Sequence, residues 1–114
     1  IALALLHARP SWRVIAMDAS WEALAVAREN REQLGLALAL FQGCWTDAIA
    51  PHSIDVLVAN PPYLSETDPH LNDISLQREP KTALVAEADG LAAYMAIIDD
   101  VKRVLRTPGH VFFE

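Results

Sequence analysis

The sequence predicts an α/β fold built on a mostly parallel sheet. Short apolar runs alternate with segments of helical composition, and the connections between them are short. One run, residues 53–60 (SIDVLVAN), is nearly continuously apolar, as expected of a parallel strand covered on both faces.

Each element has a local reason. Residues 1–8 (IALALLHA) are apolar almost all round, which predicts a buried helix. Residues 12–18 (WRVIAMD) form a short apolar run closed by an acid, an interior strand. Ser20 is an N-cap residue, Glu22 suits a first helical turn, and the Ala-, Leu-, Glu- and Arg-rich stretch to Leu34 continues the helix. Gly35 ends it. Residues 38–43 (LALFQG) predict a second strand and residues 53–60 a third. Residues 64–88 are polar and proline-punctuated, a long loop with at most a turn of helix. Leu91, Met95, Ile98, Val101 and Leu105 recur at helical spacing after Asp89-Gly90. Pro108-Gly109 turns the chain into HVFFE, a final strand.

Composition narrows the class. With 114 residues the chain makes at most one domain, and 53% hydrophobic with 21% charged residues describes a globular chain. No apolar run reaches the ~18 residues that span a bilayer. A single cysteine, Cys44, excludes an internal disulfide framework, fits a reducing, cytoplasmic compartment, and reads as an inert small hydrophobe. The net charge is −6 and the nine basic residues are scattered, which argues against a nucleic-acid backbone as partner and leaves no sign of a membrane surface. The four histidines (His7, His52, His70, His110) lack metal-ligand spacing and read as surface or loop residues; no metal is expected.

In parallel sheets ligands bind at the carboxyl ends of the strands, and three features fall there. Asp18 stands where nucleoside-binding sheets place an acid that accepts two ribose hydroxyls; its other reading is a capping or surface acid beside Ser20. Trp45, in GCWTD after the second strand, packs against a purine or caps the core. Asn60-Pro61-Pro62-Tyr63 is the third. Two prolines fix the backbone and donate no hydrogen bonds, so nearby carbonyls are free to face a ligand's N–H groups, and Asn60 adds a side-chain acceptor. Two acceptors on one conjugated NH₂ hold it and favour a tetrahedral, nucleophilic nitrogen, stabilising the transition state over the planar ground state. Tyr63 offers a flat face for a planar group. The implied target is an amide or the exocyclic amine of a base.

NPPY after a hydrophobic strand resembles the amine-methylating branch of the Rossmann-like class I S-adenosylmethionine-dependent methyltransferases. NPPYLSETDPHL followed by REPKTALVAEADGL is similar to the peptide chain release factor glutamine methyltransferases, and the resemblance covers essentially all 114 residues. It implies S-adenosylmethionine as cofactor, bound by Asp18 at the ribose, Trp45 beside the adenine, and Asn60. It implies that Asn60 and Pro61 carry the chemistry and that Asn60, Pro61, Pro62 and Tyr63 bind the glutamine amide of the release factor's Gly-Gly-Gln motif. Related enzymes acting on a ribosomal protein glutamine, or on adenine N6 or guanine N2, remain alternatives; so does a non-catalytic nucleotide-binding module. One departure stands out: the glycine-rich loop that follows the family's first strand has no counterpart among Gly35, Gly43, Gly90 and Gly109. The chain is therefore expected to be an internal part, 1–114, of such a domain. In this reading it lacks the first strand, which would lie between those ending at Asp18 and Asn60, and the last strands, and is inactive alone.

Overall fold

The structure, a computed structural model, describes residues 1–73, 76–88 and 90–114. They form two compact units, Ile1–Ala48 and Ile49–Glu114. Each unit contains its own two-stranded parallel sheet, so the α/β class and the parallel pairing follow expectation, while the strands are distributed over two separate sheets.

In Ile1–Ala48 a short helix α1 (Ala2–Ala8) precedes β1 (Ile15–Asp18), α2 (Trp21–Gln33) and β2 (Ala39–Gln42). The strands pair parallel in unbroken register from Ile15 with Ala39 to Asp18 with Gln42. Ser20 caps α2: its hydroxyl accepts the Ala23 N–H at 3.1 Å and donates to Glu22 at 2.8 Å. That hydroxyl, and then the Glu22 backbone N–H, hold the Glu22 carboxyl below its ordinary pKa. At the other end Gly35 takes φ +63°, the left-handed turn that releases the chain from a helix, and Leu36 N–H returns to Arg31. Leu6, Leu24 and Leu38 are buried.

Two expectations are corrected here. α1 is not buried all round; Leu6 alone is fully covered, because a 48-residue unit has too little chain to wrap a helix on every side. The first strand begins at Ile15 rather than at Trp12, because residues 10–12 turn, with Trp12 N–H bonded to the Arg9 carbonyl at 2.9 Å.

In Ile49–Glu114, β3 (Ile54–Ala59) pairs parallel with β4 (Leu105–Phe113), which follows α4 (Ala92–Val104) directly. Ile54 pairs with Leu105 but Val56 with His110, so the segment containing Pro108-Gly109 is looped out as a bulge within one strand. Arg106 fastens it, reaching the Asp55 carboxylate at 3.0 Å and the His52 carbonyl at 3.2 Å. Pro61, Leu64, Ala86, Ala93, Ile97 and Val104 form the core, and Tyr94 meets Phe113 at 5.1 Å between ring centroids.

β3 is less covered than its apolar run suggests, with Val56 and Val58 each 36% exposed in a sheet of only two strands. In α4 the buried stripe is Ala93, Ile97 and Val104, whereas Leu91, Met95 and Ile98 lie more than half exposed on the adjoining face. Residues 64–88 hold more structure than a loop. Two 3₁₀ turns (Pro69–Asn72, Leu76–Arg78) and a helical turn α3 (Lys81–Leu84) lead to a parallel bridge between Leu64 and Val85. Asp89, which precedes the last helical pattern in the sequence, lies outside the described residues. No helix among the described residues is long and apolar enough to cross a membrane.

Candidate functional site

Two groups of residues stand at the carboxyl ends of parallel strands, one in each unit. In the first, Asp18 is the last residue of β1 and is exposed. Its Oδ1 accepts the Ser20 N–H at 2.8 Å, a two-residue turn closed by an Asp side chain. Asp18 is therefore not the helix cap; Ser20 is, and the carboxylate faces outward beside it. The Gly43 N–H donates to the Asp18 carbonyl at 3.2 Å, which brings the start of GCWTD against the end of β1. Gln42 secures the same corner through an amide bond to the Ala19 carbonyl at 2.9 Å.

Trp45 follows in a left-handed conformation, φ +46°, half-buried, with Thr46 buried behind it. A left-handed tryptophan is uncommon because its Cβ crowds the backbone. Cys44, read as an inert small hydrophobe, is exposed, because the turn after Gly43 carries it out of the strand. An exposed acid closing β1 and a half-buried indole just after the neighbouring β2 offer what a nucleoside would need: an acceptor for its hydroxyls and a flat face for its base.

The second group begins where β3 ends. Asn60 is exposed, and its side chain makes no hydrogen bond with the described residues, so both amide atoms are free for a ligand. Pro61 is less than 2% exposed, Pro62 half-buried and Tyr63 57% exposed. Among the described residues the Pro61 carbonyl receives no hydrogen bond. A buried proline thus anchors two unengaged acceptors at a strand end, the arrangement that suits an NH₂ donor.

Beyond Tyr63 the chain is pinned. Leu64 N–H donates to Leu84 at 3.0 Å and the Leu64 carbonyl accepts from Ala86 at 2.9 Å. An open cleft of ≈ 510 Å³ lies beside it, lined by Tyr63, Leu64, Asp68, His70, Asp73, Leu76 and Leu84. Asp68 caps the first 3₁₀ turn and accepts from both the His70 N–H (2.9 Å) and its Nδ1 (2.8 Å). These bonds hold the Asp68 carboxyl below its ordinary pKa, the backbone one contributing most, while the Asp68 hydrogen bond raises that of His70. All four histidines are exposed, and no three His, Cys, Asp or Glu side chains among the described residues are placed to hold a metal ion.

The Leu64–Val85 bridge and the close approach at Gly90 are not visible in the sequence, where Gly90 precedes the last helix and belongs to the DGL stretch. Gly90 is buried, with φ +87°, and a Cβ there would overlap the Tyr63 carbonyl oxygen and sit 2.8 Å from the carbonyl carbon. The only local signal was a glycine immediately before an apolar helical pattern.

A parallel α/β architecture with an acid closing one strand and Asn-Pro-Pro-Tyr following another is consistent with a methyltransferase domain. Residues 1–79 match the family model of the methyltransferase small domain, and the chain belongs to that family. Among curated proteins, the release factor glutamine methyltransferase of Enterococcus faecalis is 45% identical over the whole chain, which covers 42% of that protein. Those of Caulobacter vibrioides (44% identical, 98% of this chain, 39% of theirs) and Escherichia coli (36% identical, the whole chain, 42% of theirs) are similar. The chain spans about two fifths of the length of these relatives.

Proposed function

We propose that the full-length protein transfers a methyl group from S-adenosylmethionine to the side-chain amide of the glutamine in the Gly-Gly-Gln motif of release factors, giving N5-methylglutamine. The observation that carries this reading is Asn60-Pro61-Pro62-Tyr63 at the end of β3, with the Asn60 amide exposed and unengaged, in a methyltransferase-family chain. Its relatives at 36–45% identity are release factor glutamine methyltransferases, which supports the choice of substrate.

The bound cofactor supplies a methyl group on a sulfonium, a good leaving group. The protein's own residues then have to bind, orient and polarise. Asp18 would accept the ribose hydroxyls, Trp45 would hold the adenine, and Asn60 would serve the cofactor as well as the substrate. Asn60 Oδ1 and the Pro61 carbonyl accept the two N–H bonds of the glutamine amide, drawing the nitrogen lone pair out of conjugation and toward the methyl carbon. Pro62 and Tyr63 hold the planar amide from the side. When bound, the cofactor would give its methyl group to the amide nitrogen and leave as the neutral thioether, and one amide proton would pass to solvent; no general base is assigned. Release factors work in the cytoplasm, which is where this reading locates the protein. The acidic balance, −6, suits a protein substrate better than a nucleic-acid backbone.

The test incubates the full-length protein and radiolabelled S-adenosylmethionine with purified release factors, ribosomes, DNA and RNA. Label is expected in a release factor, on the glutamine amide. Label in a ribosomal protein would replace the substrate, and label in nucleic acid would overturn the protein-substrate reading.

A further inference from the structure

The residue after the two prolines is held from outside the motif. The Tyr63 carbonyl lies against the backbone of Gly90 so closely that no Cβ fits between them. The next residue, Leu64, is bonded on both sides of its peptide to Leu84 and Ala86. At the near end, Pro61 is buried. Pro61 and Pro62 each have φ fixed near about −65°. A displacement at the Tyr63 peptide therefore has few soft torsions in which to dissipate before it reaches Asn60.

Gly35 supplies the internal comparison. It too is left-handed, φ +63°, but nothing lies within 4 Å of where its Cβ would be. A side chain at Gly35 strains a turn; a side chain at Gly90 strains a turn and also pushes on the motif.

We infer that Gly90 is a positioning residue for methyl transfer: its missing side chain lets the chain close onto the Tyr63 peptide and so sets the orientation of the Asn60 and Pro61 acceptors. The inference rests on the proposed role of those acceptors. A reacting geometry displaced by around 1 Å loses on the order of 100-fold in rate, and relieving a full backbone overlap needs a displacement of that size.

The test compares three variants of the full-length protein, Gly35→Ala, Gly90→Ala and Gly90→Asn, by thermal melting, calorimetric titration with S-adenosylmethionine, and turnover on a release factor. Asparagine tolerates a left-handed backbone better than alanine, so Gly90→Asn lowers the strain and keeps the overlap. The expected result is a kcat about 100-fold lower in both Gly90 variants, with cofactor affinity close to wild type. Gly35→Ala should lose thermal stability and keep its kcat within about twofold, since nothing is pushed there. A folded Gly90 variant with wild-type kcat overturns the inference alone. So does a loss of kcat that tracks the loss of stability across all three variants, or failure of both Gly90 variants to fold at low temperature, which would make the glycine a requirement of the whole unit. A wild-type protein that methylates no release factor overturns the functional reading first, and this inference with it.

Discussion

In Ile1–Ala48 the Asp18 carboxylate leaves the end of β1 on an exposed side chain, steadied by one hydrogen bond from the Ser20 backbone. In Ile49–Glu114 Asn60 leaves the end of β3 ahead of two prolines, the first buried, with the following residues bridged to Val85 and closed over by Gly90. Both groups stand at the carboxyl end of a parallel strand, yet they are held differently: the Asp18 carboxylate rests on a single bond, whereas the Asn60 side chain is unengaged and the backbone that follows it is held tightly. The difference matches the proposed tasks. A carboxylate that accepts ribose hydroxyls gains from charge and tolerates small rotations. An amide that must rehybridise a nitrogen gains only if its acceptors are fixed in advance.

The largest expected effect breaks the tight group. Asn60→Ala in the full-length protein should lower turnover by about 10²–10³-fold, the scale for removing one preorganised hydrogen-bonding partner of a transition state. Its cost in cofactor affinity should be much smaller. Steady-state kinetics on a release factor together with cofactor titration separate the two, and turnover within a few-fold of wild type would remove Asn60 from the chemistry.

Asp18→Ala should do the reverse. Losing charge-assisted hydrogen bonds costs about 1–3 kcal/mol, roughly 5- to 150-fold in affinity for S-adenosylmethionine. At saturating cofactor the rate should recover to within a few-fold. Calorimetry that finds the affinity unchanged takes Asp18 out of the site and dissolves the contrast between the groups.

Ser20→Ala sharpens the comparison inside the loose group. The bond that steadies Asp18 comes from the Ser20 backbone and survives, whereas the hydroxyl that caps α2 is lost. Chemical denaturation should show a loss of about 1 kcal/mol, the usual worth of an N-cap, with cofactor affinity little changed. A large drop in affinity would mean that the helix end, and not only the turn, sets the carboxylate.

What could be read from the sequence follows the range of the forces involved. Ser20, Gly35 and the end of β3 at Asn60 declare themselves through their own chemistry, as do the two prolines, because capping, left-handed turns and fixed φ act over a few residues. Burial is different. Val56 and Val58, or Leu91, Met95 and Ile98, look like core in the sequence, but their exposure depends on which chain segments cover them. The bulge in β4 and the Leu64–Val85 bridge were hidden for the same reason, since each depends on a partner far along the chain. Within the candidate site, the residues that present functional groups were legible, and those that hold them in place were not. Gly90 is the clearest case: its effect comes from lacking a side chain near a carbonyl 27 positions earlier (90 − 63).

The smallest expected effect asks how far the tight holding extends past Leu64. Asp68 and His70 are linked by two hydrogen bonds on the rim of the cleft beside Tyr63. The imidazole pKa is raised, by its hydrogen bond to Asp68 first and by charge attraction to Asp68 next, with Asp73 adding to it. The stabilisation from His70 is therefore complete below its ordinary pKa of about 6.5 and is lost as pH rises through the elevated value. That from Asp68, whose pKa is lowered, is present above its ordinary value of about 3.9 and is lost as pH falls through the depressed one. The pair is thus fully formed between about pH 4 and 6.5, and both side chains are solvent-screened, so its contribution is small. An NMR titration of the His70 ring should find a midpoint above about 6.5 that returns toward it in Asp68→Asn. Turnover at saturating substrate should stay within about twofold in that variant, because the motif is held at Leu64 and Gly90 and not by this exposed turn. An unshifted His70 midpoint would sink the pairing. A normal midpoint shift with a collapse of turnover would extend the rigid group to the 3₁₀ turn and enlarge the contrast with the loosely held Asp18.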